Sequence, residues 1–123
     1  MEFTDEQFQE LIDEAFESLP KEHRDNVKNV AILYEDEPSP EQRQRLLLRD
    51  DQSLFGLYEG IPLSQRQGNT HNMLPDRITL FKWPLLRASY DLKSLKEQIR
   101  HTLWHEIAHY YGLNHTDIRR LEQ

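Results

Sequence analysis

The chain has 123 residues, a formal charge of -7 and no Cys. That length suits one domain with a modest core. The charge argues against a nucleic-acid surface, and the lack of Cys excludes disulfides and thiolate ligands, so any metal must be held by nitrogen and oxygen.

Glu2, Asp5 and Glu6 follow Met1 where a leader peptide would carry basic and then apolar residues. No stretch is long enough to cross a bilayer, and the simplest expectation is a cytoplasmic protein. Asn114-His115-Thr116 forms a glycosylation sequon, which matters only on a secretory route.

Thr4 or Asp5 can cap a first helix. Phe8, Leu11, Ile12, Ala15, Phe16 and Leu19 recur at helical spacing, which predicts a helix to about Leu19 with a core-facing stripe. Val27 and the run Val30-Ala31-Ile32-Leu33-Tyr34 predict a strand, closed by a turn at Glu35-Asp36-Glu37-Pro38. The segment 40–51 is polar and in part helical. Its cluster Arg43, Arg45 and Arg49 lies beside Asp50 and Asp51 and reads as a solvated face.

Leu54-Phe55-Gly56-Leu57-Tyr58 is a second strand candidate, closed by Glu59 to Leu63. Ser64 to Leu74 reads as a mobile loop, and His71 within it as an ordinary loop residue. Arg77 to Trp83 alternates polar with apolar residues and predicts a strand that stops at Pro84. Proline suits an edge position, so the strand around Ile78 to Lys82 is expected at the sheet edge, free to pair with an extended peptide.

Asp91 or Ser89 can cap a last long helix, expected from about Leu92 to about Tyr111. Ile99, Leu103, Ile107 and Ala108 give it an apolar stripe. A short closing helix capped at Asn114 or Thr116 should run through Leu121. The whole reads as one α+β domain over residues 1–123, a small mixed sheet packed on the long helix with an N-terminal helix and a short C-terminal helix.

The end of the long helix carries His105-Glu106-x-x-His109-x-x-Gly112-x-x-His115. Residues four apart lie about 6 Å apart along a helix and roughly 40° round it, so His105 and His109 can aim two imidazoles at one ion. Glu106 stands about 100° round from His105, beside the ion without having to bind it, which suits a base for a metal-activated water. Gly112 suits a helix end. The chain can then turn back and offer His115 as a third nitrogen. Three protein ligands leave one corner of a tetrahedral Zn2+ open for water. His101, four residues before His105, shares its side of the helix and reads as a donor near the cleft or as a solvent-facing residue. Trp83 and Trp104 read as core aromatics or as lining of a substrate pocket.

These five motif positions resemble the zincin metallopeptidases. Together with Leu57-Tyr58-Glu59-Gly60-Ile61-Pro62-Leu63 and Leu74-Pro75-Asp76-Arg77-Ile78 they are similar to the minimal zincin-like metallopeptidase family of short bacterial proteins. The resemblance runs from about Val27 onward. It implies a zincin-like fold, Zn2+ on His105, His109 and His115, Glu106 as general base and hydrolysis of peptide bonds. Two departures stand out. Metzincins place a Met-containing turn after the third His, and the only Met residues here are Met1 and Met73. The minimal family often carries Asp where this chain has His115, so Asp117 is the alternative third ligand, or a partner that holds a ligand imidazole. Candidate helpers for the developing oxyanion are Tyr58, Arg77, Tyr110 and Tyr111. The expected activity is that of a zinc peptidase acting on a peptide or protein. The alternatives are a peptide-binding module on the same fold with a structural or vestigial zinc site, or a zinc that merely ties the C-terminal tail to the helix.

Overall fold

The computed structural model describes residues 2–25, 27, 30–60 and 76–112. The loop around His71, the closing segment from Ile61 to Leu63, His115, Asp117 and the expected closing helix lie outside the described residues.

Helix α1 spans Asp5–Glu17. Thr4 caps it through a reciprocal box, accepting from the Gln7 N–H while the Gln7 side chain accepts the Thr4 N–H. Phe8, Ile12 and Ala15 fall on one face and are buried, as the helical spacing predicts. A single turn, α2, follows at Lys21–Arg24. Strand β1 covers Val30–Glu35. Helix α3, Pro40–Arg45, opens on a second capping box between Ser39 and Gln42. Proline is tolerated at its first position, where no helical N–H bond is lost. Strand β2 is Gly56–Glu59.

Strand β3 spans Asp76–Phe81 and runs directly into helix α4, Lys82–Arg87. The sheet order is β1-β3-β2, with β1 parallel and β2 antiparallel to β3. This corrects the edge-strand expectation: β3 is central, and both of its ladders are occupied. The segment Ile78–Lys82 therefore has no free ladder for a peptide. Its alternating pattern suggests one wet face, yet Thr79 is buried along with Ile78, Leu80 and Phe81. Pro84 does not end a strand. It sits in the first turn of α4, where a missing N–H costs no helical bond. Lys82 points inward, its Nζ donating to the Phe3 carbonyl at 2.6 Å and to the Asp5 carboxylate at 3.3 Å.

The long helix α5 runs from Leu92 to Tyr110. Asp91 caps it by accepting the Ser94 N–H at 2.8 Å. Leu95, Ile99, Leu103 and Ile107 are fully buried and join Phe8, Ile12, Ile78, Leu80 and Leu85 in one core. The helix packs against α1 and against strands β2 and β3. The expected α+β architecture, a small mixed sheet against a long motif-bearing helix, is what forms.

The Arg cluster is tied down locally. Arg43 donates to the carbonyls of Arg49 and Gln52, both at 2.7 Å, and Arg45 pairs with Glu59. Arg49 pairs with Asp51 at 3.4 Å.

Candidate metal centre

Glu106, Ile107 and Ala108 are buried on α5, and His105 and His109 flank them on the same helix. His105 and His109 are half-buried there, with Glu106 buried at 8 % exposure. The two Nε2 atoms lie 3.2 Å apart. Two nitrogens each about 2.05 Å from a tetrahedral ion stand about 3.3 Å apart, so the rings hold the spacing that one Zn2+ demands. One ligand atom from each of His105, Glu106 and His109 lies within 4.8 Å of the others. Two imidazoles in this disposition beside a carboxylate suit a borderline metal such as zinc.

Gly112 ends the helix motif with φ 84°, the left-handed region that glycine enters cheaply. Its N–H donates to the His109 carbonyl at 2.9 Å, closing the last turn directly behind the second imidazole. The chain leaves the helix at the expected residue.

Strand β2 supplies what periodicity does not single out. The Phe81 N–H donates to the Phe55 carbonyl, which turns the backbone groups of Phe55, Leu57 and Glu59 toward β3 and those of Gly56 and Tyr58 outward. The outward N–H of Tyr58 bonds the Glu106 carboxylate. Gly56 allows that approach. A β-carbon there would sit 2.7 Å from Thr102 Cγ2 and 3.3 Å from Glu106 Cγ. A glycine interrupting an apolar strand is a known sign of close backbone approach, and Leu54-Phe55-Gly56-Leu57 carries that signal.

Burial raises the Glu106 carboxyl from 4.5 to about 7, against the opposing pull of the Tyr58 N–H. A group poised there can accept and return a proton near neutral pH.

The candidate oxyanion helpers are largely engaged elsewhere. The Tyr58 hydroxyl donates to the buried Asp76 carboxylate at 2.5 Å. The Tyr111 hydroxyl donates to the His23 carbonyl at 2.7 Å, and burial pushes its pKa upward. Tyr110 is buried, its ring edge-on to Tyr58. Arg77 lies 3.8 Å from Glu59. Trp83 is exposed on α4, whereas Trp104 is half-buried against the His23 ring. His101 is exposed one turn before His105.

Among the described residues, no helix is long and apolar enough to cross a membrane. A family model described as zincin-like metallopeptidase matches residues 27–123. No curated protein matches the chain. A solved structure of a conserved hypothetical protein from Thermus thermophilus is similar at 21% identity, with a TM-score of 0.59, covering 89% of this chain and 94% of the other. That likeness concerns the fold.

Proposed function

The chain belongs to the zincin-like metallopeptidases, and from that premise we propose that it is a zinc-dependent peptidase. The observation that carries the reading is the His105–His109 pair, with Nε2 atoms 3.2 Å apart beside a buried Glu106. In this reading His105 and His109 hold the ion, and His115 completes the set, with Asp117 as its substitute. Zn2+, when bound, would supply a Lewis acid that polarises the scissile carbonyl and acidifies a water. Glu106 takes the proton of the attacking water on its carboxylate and returns it to the leaving amine nitrogen. The Tyr58 N–H holds that carboxylate in place through both transfers. His109, at the last turn of α5, is fixed by the helix rather than by a loop.

The peptide partner finds its ladder on β2. Among the described residues this strand is hydrogen-bonded to β3 alone, and its other edge borders Glu106, which the Tyr58 N–H holds. An extended peptide added there would pass the imidazole pair.

One observation favours a second reading, a peptide-binding module that keeps zinc without turnover. The hydroxyls of Tyr58 and Tyr111 already donate to Asp76 and His23, which leaves oxyanion stabilisation to groups other than these two.

Metal analysis with a peptide-library digest of wild type and Glu106→Gln separates the readings. The peptidase reading expects near-stoichiometric zinc in both proteins and cleavage by wild type alone. Identical digests from the two proteins would discard it. Peptides retained intact by both would favour the binding module.

A further inference from the structure

Beside the metal motif, on the side away from β2, a groove of about 470 Å³ opens between α5 and the chain that joins α1 to α2. Leu19, Pro20, His23 and Trp104 line it, with Leu19 buried and Pro20 exposed. Arg100, His101 and Glu97 stand round its rim. Trp104 lies about 100° round the helix from His105 in the direction opposite to Glu106, and His101 is one turn below His105. The imidazole pair is thus flanked by the edge strand on one side and by this groove on the other.

Three features decide what the groove takes. The His23 and Trp104 rings lie 4.6 Å apart at 48°, an aromatic pair in the same lining as Leu19 and Pro20. Two hydrogen bonds tie the lining segments together: the Tyr111 hydroxyl donates to the His23 carbonyl at 2.7 Å, and Arg100 Nε donates to Ser18 Oγ at 3.1 Å. The rim carries one guanidinium and one carboxylate, which offset each other, so net charge selects neither an anion nor a cation. Size and shape then favour a planar apolar group.

We propose that this groove is the subsite for an aromatic side chain of the peptide that lies across His105 and His109. The proposal rests on the peptidase reading for its placement beside the scissile bond, but the groove binds whether or not turnover occurs. Leu19, Pro20 and His23 of its lining precede residue 27, where the family match begins. Part of the lining thus comes from the segment before the matched residues, and Glu97, Arg100, His101 and Trp104 come from within them.

The test uses the full chain carrying Trp83→Phe, so that Trp104 is the sole indole, and Glu106→Gln, so that peptides stay intact. Acetylated and amidated alanine pentapeptides with Phe, Leu or Ala at the centre are titrated while indole emission is read. The Phe peptide is expected to shift that emission and to bind about tenfold or more tighter than the Ala peptide. His23→Ala should abolish the preference while the far-ultraviolet circular dichroism is unchanged. Equal affinity for the three peptides, or a Phe preference untouched by His23→Ala, overturns the proposal. Cleavage by the Glu106-containing protein is scored separately. A Phe preference in binding without cleavage keeps the groove and discards the peptidase. Cleavage with no preference for aromatic residues discards the groove and keeps the peptidase.

Discussion

Glu106 is the residue whose environment does most to define the site. The folded, metal-free chain keeps its proton up to about pH 7, whereas the ordinary value is 4.5. Between those values the folded state binds more protons than the unfolded one, so stability from this group falls as pH rises. A tenfold difference in proton affinity is worth about 1.4 kcal/mol, which makes the cost about 3 kcal/mol by pH 8. Urea denaturation of the metal-free protein at pH 5 and pH 8 should show that loss, and Glu106→Gln should remove most of it. An equal pH dependence in both proteins would contradict the assignment. Gly56 is the second residue with a sharp expectation. Gly56→Ala drives a methyl into Thr102 and should cost about 1–3 kcal/mol, the usual range for overpacking. The same methyl presses on Glu106 Cγ, so under the proposed peptidase reading peptide hydrolysis should fall further than the stability loss explains.

At the scale of the element, α5 carries both the core and the chemistry. One face holds Leu95, Ile99, Leu103 and Ile107 in the core, and the same helix projects His105 and His109 at the rim. Its first turn depends on Asp91, whose carboxylate is held below its usual pKa chiefly by the Ser94 N–H. A depressed carboxylate stabilises the fold above its unfolded pKa and loses that contribution as pH falls through its folded one. Asp91→Ala should lower the melting temperature at pH 7 and remove part of the acid sensitivity seen below about pH 4, with Asp91→Asn intermediate. The strand β3 shows how an element can be read correctly in kind and wrongly in place. Ile78, Leu80 and Phe81 declare a strand, but nothing local says that Thr79 is covered or that both ladders are filled. Pro84 is a sound stop signal for a strand and also an allowed first-turn helix residue, and only the packing of α4 chooses between them.

At the scale of the molecule, the core joins an N-terminal helix outside the family match to the helix that bears the motif. Phe8 is fully buried and meets the Tyr34 ring edge-on at 5.7 Å. Phe8→Ala should destabilise the whole protein by about 3–5 kcal/mol, a large share of the stability of a domain this size. Because α1 packs on α5, the variant should also weaken retention of the proposed zinc when measured near its midpoint of unfolding. A wild-type unfolding curve from this variant would show that α1 is dispensable to the core.

The sequence by itself determined the long helix, a cap at Asp91 or Ser89, its exit at Gly112 and the shared face of His105 and His109, because all four follow from local geometry. Residues one turn apart must share a face, and glycine must take the turn that other residues resist. The tertiary structure alone decided that β3 lies between β1 and β2, and that Tyr58 N–H and Gly56 meet Glu106. Strand order and the burial of one carboxylate depend on contacts between segments some fifty residues apart, and no periodicity within either segment encodes them.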